Sequence, residues 1–306
     1  MLGCALVAAA TLISLYHSEP HYQGKSLSDW IIAMGFREGN EKEHQVVHYL
    51  GTNSIPLLLE WLQRPDKPSL AGKLENTKHG VIGWLERHRL MKPRTWSWKQ
   101  DWKGCYRCLA QRAFAELGQD GSPAIPTLIK LLATKPKTTN EISGTGCAAS
   151  IVLSKMAPAS IPPLIEAASS EDDQTYALAA MALGNIGPDA KAAIPTIEKR
   201  FRDPRPDLRV GAAYVIGQLG GEPSGFMPVV IEALRYPNLE MLDYKLQILL
   251  KYKEHAKGAV PILQDILQNI PAETTNLTQI FARDQANAAL RQLAPDAFPQ
   301  SDNQTN

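Results

Sequence analysis

Two cysteines three residues apart are the first candidates for chemistry in this chain. Cys105 and Cys108 form a CxxC motif in a segment with a helical pattern. A single CxxC supplies half of a typical zinc site, so zinc is only weakly indicated. Two other interpretations remain. The pair forms a disulfide if the protein is exported, or it contributes two small apolar side chains to a helix interface.

Two histidines with helical spacing suggest a metal site. His44 and His48 fall on one face of a predicted helix, with Glu41 one turn earlier. The HExxH arrangement is missing and the sequence offers no evident third ligand. It also contains no Gly-rich phosphate loop and no GxSxG motif. We therefore predict no metal, no cofactor and no catalytic residue.

A tryptophan-rich basic segment is the first candidate binding site. Residues 87–112 contain eight Lys or Arg residues and one acid, Asp101, with Trp96, Trp98 and Trp102 interleaved. Cations beside aromatic rings suit a partner that carries phosphate, sugar or a membrane headgroup. The alternative is that the tryptophans cover an irregular edge of the fold and the cations form a solvated rim.

A second basic zone lies in the C-terminal half of the chain, and a peptide or an acidic protein segment is its plausible ligand. Ordinary solvated helix faces are the alternative. The zone comprises Lys199, Arg200, Arg202, Arg205, Arg209, Arg235 and Tyr236. From the two zones we select Lys199, Arg202, Arg235, Tyr236, Trp96 and Trp98 as candidate partner-binding residues.

A recurring proline organises the elements that must position these residues. A small or apolar residue, then Pro, then an apolar run occurs six times, and the last five prolines are spaced 36, 33, 33 and 33 residues apart. A fixed period in this range is typical of a helical solenoid. Pro is tolerated in the first turn of a helix, where its missing N–H would have had no partner. We predict that a helix, B, begins at each of Pro56, Pro126, Pro162, Pro195, Pro228 and Pro261.

A longer, Ala-rich helix, A, precedes most of these prolines. The clearest A helices are residues 107–118, 173–187 and 207–220, each closed by a Gly that can take the left-handed conformation. Small residues, Gly211 among them, are predicted to let neighbouring helices approach closely. One such hairpin cannot bury its own apolar face, whereas a row of hairpins buries a continuous core.

The B helices also predict an exposed charged ridge. The fourth residue after each repeat proline is charged, and the signs are mixed, unlike a phosphate-binding channel. The net charge of +1 likewise argues against a dedicated nucleic-acid binder. The ridge residues are Glu60, Lys130, Glu166, Lys199, Glu232 and Asp265.

The segment DPRPDLRVGAAYVIGQLG, residues 203–220, resembles the HEAT-repeat family, including its bacterial lyase-like branch. It has the loop Asp, the Leu208–Arg209 pair, the Ala-Ala pair and the Leu-Gly ending of that pattern. The resemblance covers residues 105–297 well and 41–65 less well. It implies an all-α fold, an α-α superhelix (HEAT/ARM-like solenoid) of about six helical hairpins, with a structural role for Arg209, but says little of function.

The N-terminal part resembles membrane-anchored bacterial HEAT proteins in the segment EPHYQGKSLSDWI, residues 19–31, whose Ser26 and Asp29 have capping-box spacing. Residues 2–16 carry no charge and suit a signal-peptide core better than a bilayer span of about 20 residues. We expect export or anchoring, with a cytoplasmic location as the alternative. The expected organisation is a signal peptide or anchor at 1–17, an N-terminal segment with one helix at 18–40, a solenoid at 41–297 with an irregular insertion at 66–104, and a polar tail at 298–306.

The leading hypothesis for function is a non-enzymatic interaction scaffold that binds another protein or a peptide segment and contacts the membrane through its N-terminal segment. One alternative is an accessory enzyme, because HEAT-like proteins that resemble this chain include chromophore lyases. Another is a nucleic-acid-binding HEAT-like protein. Both alternatives are disfavoured by the expected export.

Overall fold

The computed structural model describes residues 19–34, 41–64, 105–135, 144–235, 242–271 and 273–295. These residues form two compact units, within Met1–Pro163 and Leu164–Asn306. Strands in the described residues are limited to β1, His21–Tyr22, and β2, Lys25–Ser26, which pair antiparallel. The remaining regular structure is helical, so the all-α prediction is confirmed.

The helices follow one another in the A–B order that the proline period predicts. Within each unit, successive A helices pack side by side: α2 against α4, α4 against α6, α8 against α10, and α12 against α14. The helix bounds are α1 Leu27–Met34, α2 Glu41–Thr52, α3 Ile55–Gln63, α4 Tyr106–Leu117, α5 Ile125–Leu132, α6 Thr145–Ser154, α7 Ile161–Ala167, α8 Asp173–Ile186, α9 Ile194–Glu198, α10 Pro206–Gln218, α11 Pro223–Ala233, α12 Leu242–Lys251, α13 Val260–Asn269 and α14 Leu277–Leu293.

Five of the six repeat prolines begin a B helix as predicted. Pro56, Pro126, Pro162, Pro195 and Pro261 each stand second in α3, α5, α7, α9 and α13. The prediction for the sixth was wrong.

Pro228 lies inside α11, which begins at Pro223 instead. Inside a helix, Pro cannot bond the carbonyl four residues earlier, here that of Ser224. Ser224 and Pro228 are both exposed, so a water molecule can donate to the Ser224 carbonyl instead. Two prolines satisfied the same local rule, and the earlier one sets the start of the helix.

The predicted helix ends are confirmed. Gly118 and Gly187, directly after α4 and α8, have positive φ values of 52° and 83°, and Gly220, just beyond α10, has φ 74°. At the other end, the backbone N–H of Asp29 donates to the Ser26 hydroxyl and the Ser26 N–H donates to the Asp29 carboxylate. This reciprocal pair is a capping box at the start of α1.

The interface between α8 and α10 shows which small residues permit close packing. Ala179, Ala180 and Ala212 are buried, as predicted. Gly211 is different: the position that a Cβ would occupy there has no neighbouring atom within 4 Å. The prediction that Gly211 lets the helices approach closely was therefore wrong, and it instead faces open space.

None of the described helices is long and apolar enough to cross a membrane. The predicted export or anchor segment, residues 2–16, lies outside the described residues, as do the insertion at 66–104 and the tail at 298–306.

Candidate binding surface on the second unit

The connection between α9 and α10 holds a network of ion pairs. The short 3₁₀ turn Lys199–Arg202 continues α9, and Arg200 from this turn donates to the carboxylates of Asp203, at 3.2 Å, and Asp173, at 3.4 Å. Arg205 donates to the same two carboxylates, with its Nη2 3.0 Å from Asp203 Oδ2 and 3.0 Å from Asp173 Oδ1. Two arginines therefore bridge the start of α8 and the start of α10.

The carboxylates in this network are held ionised. Hydrogen bonds from the Arg205 side chain keep the pKa of the Asp203 carboxyl well below its usual range and also lower the pKa of Asp173. Arg200 additionally donates to the backbone carbonyl of Ser170 at 3.0 Å. These partners tie Arg200 and Arg205 to the fold, so the two arginines are structural.

Arg209 is also committed to the fold. Its Nη1 donates to the backbone carbonyls of Asp203, at 3.0 Å, and Pro204, at 3.3 Å, and its Nη2 lies 3.7 Å from Glu232 Oε1. The structural role that the family resemblance implied for Arg209 is what these contacts provide.

The other cations of this zone behave differently. Lys199, Arg202 and Arg235 are exposed, and none of their side chains has a hydrogen bond or ion pair with another described residue. Arg202 and Arg235 also share a repeat position, seven residues after Pro195 and Pro228. We refer to Lys199, Arg202 and Arg235 as the exposed cation set. Within one basic zone, the structure thus separates cations that hold the fold from cations that face solvent.

Residues 161–242, which contain the whole zone, match the family model of HEAT repeats. This segment consists of HEAT repeats. No curated protein matches the chain. Two crystal structures of engineered proteins are similar to it at 14% sequence identity. One has a TM-score of 0.35 and covers 89% of this chain and 71% of its own. The other has a TM-score of 0.27 and covers 86% of this chain and 97% of its own.

The predicted charged ridge of the B helices is exposed at five of its six positions, from Lys130 to Asp265, and Glu60 is half-buried beside Arg64. Three of the candidate binding residues, Trp96, Trp98 and Tyr236, lie outside the described residues. The candidate surface therefore rests on the exposed cation set.

The two cysteines of the CxxC motif form a disulfide. Cys105 caps α4, and its sulfur accepts a hydrogen bond from the backbone N–H of Cys108 at 3.2 Å. Of the interpretations left open by the sequence, the structure selects the disulfide. Among the described residues, no group of three His, Cys, Asp or Glu side chains could hold a metal ion.

The two histidines join neighbouring A helices. His44 Nδ1 lies 2.8 Å from Glu116 Oε2, and His48 Nε2 lies 2.9 Å from Asp120 Oδ2. Each imidazole on α2 thus faces a carboxylate on α4 or on the turn that follows it. The two histidines at i,i+4 spacing therefore form two separate pairs, each with a carboxylate of the neighbouring A helix or of the turn that follows it.

Two buried cations were missed by sequence reasoning. Arg107 on α4 is 4% exposed and donates to the backbone carbonyls of Leu62 and Arg64 at the end of α3, both at 3.2 Å. Lys245 on α12 is 1% exposed and donates to the carbonyl of Ala233, which ends α11. Burial lowers the pKa of the Lys245 amine. Each cation satisfies carbonyls that a helix end leaves without partners.

A signal for one of them was present in the sequence. Arg107 and Arg209 each stand nineteen residues before the proline of their repeat, Pro126 and Pro228. Both donate to backbone carbonyls at the end of the preceding B helix or just beyond it. Because Arg107 occupies the same repeat position as Arg209, the structural role inferred for Arg209 also predicts a structural role for Arg107.

Proposed function

We propose that this protein is a non-enzymatic HEAT-repeat scaffold that binds an acidic segment of a partner protein through Lys199, Arg202 and Arg235. One observation carries the proposal: these three cations are exposed and their side chains have no partner among the described residues, while the side chains of Arg200, Arg205 and Arg209 beside them are paired. Exposed cations that the fold does not use remain free to pair with carboxylates of a partner.

The chemistry of the ligand follows from this arrangement. The three cations belong to two successive repeats, so an extended segment with several carboxylates can contact more than one of them. Each exposed ion pair contributes little, about 0.2–1 kcal/mol, and complementary charge acts mainly on association rate and on partner choice. An acidic segment is therefore expected to bind with an affinity that falls as salt concentration rises.

Charge reversal of the exposed cation set tests the proposal. The variant Lys199→Glu/Arg202→Glu/Arg235→Glu is expected to weaken partner binding by at least about tenfold, because attraction becomes repulsion at three contacts. The melting temperature of the variant should change by only a few degrees. Each cation stabilises the fold by at most about 0.3–1 kcal/mol, through its interaction with the dipole at the C-terminal end of a helix. The partner is first isolated by co-purification with the intact chain, and affinities are then measured by titration.

A matched control has the same change in net charge. The variant Lys253→Glu/Lys257→Glu/Arg291→Glu reverses three other exposed cations of the second unit. It should bind the partner within about twofold of the wild type. Equal losses in both variants would indicate a general charge effect and would contradict a defined site. Unchanged binding in the first variant would remove this surface from consideration.

We also propose that the protein acts outside the cytoplasm, tethered or exported by residues 2–16. The Cys105–Cys108 disulfide supports this location, because disulfides persist in oxidising compartments and are rare in the cytosol. Alkylation of intact cells and mass spectrometry without reduction should find both cysteines unmodified, and deletion of residues 2–16 should make both of them reactive in the cytosol. Reactive cysteines in the undeleted protein would overturn the proposal.

A further inference from the structure

The Cys105–Cys108 disulfide closes a very short loop. The two cysteines are three residues apart and stand at the start of α4. A disulfide stabilises a fold mainly by restricting the unfolded chain, and this effect grows with the number of residues in the loop. The bond therefore adds little to the stability of the first unit compared with a disulfide that joins distant segments.

The start of α4 is also held in place without this bond. Arg107, between the two cysteines, is 4% exposed and donates to two backbone carbonyls at the C-terminal end of α3. The ring of Tyr106 packs against the ring of Trp61 on α3, with 5.3 Å between the ring centres. Opening of the S–S bond therefore leaves the first turn of α4 attached to α3.

The helix favours negative charge on one of the two sulfurs. Cys105 is the N-cap residue of α4, and its sulfur accepts a hydrogen bond from the backbone N–H of Cys108 at 3.2 Å. The helix has 12 residues, so its first turn carries the partial positive charge of a full helix dipole. A thiolate at such a position is stabilised, which makes Cys105 a good leaving group in disulfide exchange.

The disulfide is also within reach of solvent. Cys105 and Cys108 are both half-buried, and Tyr106 between them is 36% exposed. A free cysteine, Cys147 on α6, is half-buried as well, but burial raises the pKa of its thiol. Cys147 is therefore mostly protonated at neutral pH and provides an unreactive comparison within the same chain.

We propose that the Cys105–Cys108 disulfide is a redox exchange site that accepts two electrons from a pair of cysteine thiols on a partner protein. In the first step, a partner thiolate attacks Cys108 Sγ, the S–S bond breaks, and Cys105 leaves as a thiolate. In the second step, the other partner thiolate attacks the partner sulfur of the mixed disulfide, and Cys108 leaves as a thiolate.

The two steps balance. The partner is oxidised from a dithiol to a disulfide, and the Cys105–Cys108 pair is reduced. The two protons lost by the partner thiols return to the two released sulfurs through solvent. This exchange goes beyond the proposed function and does not depend on the exposed cation set.

Equilibration with glutathione tests whether the bond exchanges. The full chain is incubated at stepped ratios of reduced to oxidised glutathione, quenched with acid, alkylated and weighed by mass spectrometry. A buffer as reducing as the cytosol should open the bond in more than half of the molecules, because structural disulfides resist the glutathione pool and exchangeable ones do not. The reduced chain should melt within a few degrees of the oxidised chain. A bond that stays closed, or a large loss of melting temperature, would overturn the proposal.

A matched pair of substitutions tests the stabilised thiolate. Tyr106→Glu and Tyr106→Gln both remove the ring that packs against Trp61, but only Glu places a negative charge between the two sulfurs. Like charge disfavours a thiolate, so Tyr106→Glu should need about three- to tenfold more reducing glutathione buffer than Tyr106→Gln for half reduction. Equal ratios would contradict a bond whose exchange depends on the thiolate.

Single-cysteine variants identify the leaving sulfur. Cys108→Ser leaves the Cys105 thiol, and Cys105→Ser leaves the Cys108 thiol and keeps a preferred N-cap residue. At neutral pH, iodoacetamide should alkylate Cys105 at least about tenfold faster than Cys108, and also faster than Cys147 of the same chain. Equal rates for Cys105 and Cys108 would overturn Cys105 as the leaving group.

A reduced peptide with two cysteines distinguishes a protein dithiol from a small thiol. Mixed with the oxidised chain, it should form its own disulfide while an equal amount of the Cys105–Cys108 bond is reduced. Reduction of the bond by glutathione but not by this peptide would overturn a protein dithiol as the electron donor.

Discussion

Truncation of Leu183 to Ala is expected to lower the free energy of unfolding by about 2–5 kcal/mol. Leu183 on α8 is fully buried, so the change removes apolar contacts and leaves a cavity that the surrounding helices only partly close. Leu219→Ala, also at a fully buried site next to α10, should have a similar cost. Urea denaturation followed by circular dichroism measures both.

Phe281→Ala is the control for these truncations. Phe281 lies on α14 in the same unit and is 61% exposed, so its removal takes away a larger side chain but little buried surface. The expected change is within about 0.5 kcal/mol. A HEAT-repeat array is stabilised by the contacts between neighbouring repeats, so a loss at Leu183 no larger than at Phe281 would show that the α8 interface contributes little.

Replacement of Arg107 by Met is expected to destabilise the first unit by about 1–3 kcal/mol. Met preserves much of the apolar length of the side chain but cannot donate to the carbonyls of Leu62 and Arg64. These carbonyls end α3, and burial of the Arg107 side chain shows that the contact is shielded from water. Denaturation curves of the variant should therefore shift to lower urea concentration.

Two further variants test whether the lost hydrogen bonds cause the destabilisation in Arg107→Met. Lys130→Met removes an exposed cation from α5 of the same unit and should change stability by less than about 0.5 kcal/mol. Arg107→Lys keeps a charge but loses the planar guanidinium that reaches two carbonyls. Its free energy of unfolding should therefore lie between those of Arg107→Met and the wild type. Full stability in Arg107→Met would mean that water replaces the arginine at the end of α3.

Local rules explain why so much of the fold was predicted. A proline starts a helix because its missing N–H has no partner in the first turn, and a Gly ends one because it alone takes positive φ without strain. Both rules act within a few residues. They therefore located the starts at Pro56 and Pro195 and the ends at Gly118 and Gly187. Where two prolines met the same rule, at Pro223 and Pro228, the local argument chose the wrong one.

The candidate surface shows the limit of such rules. Lys199, Arg200, Arg202 and Arg205 look alike in sequence, yet Arg205 pairs with Asp173, which is 32 residues earlier, and Arg202 pairs with no described residue. The open space at Gly211 is equally hidden in the sequence, because a glycine in a helix predicts close packing as readily as open space.

The sequence by itself determined the helical repeat, its period and most helix ends, because each depends on backbone chemistry within one repeat. Only the tertiary structure decided which cations are paired and which helical glycine faces open space. These features depend on distances of about 3–4 Å between side chains on different helices. Such distances are set by packing across repeats, which no single repeat encodes.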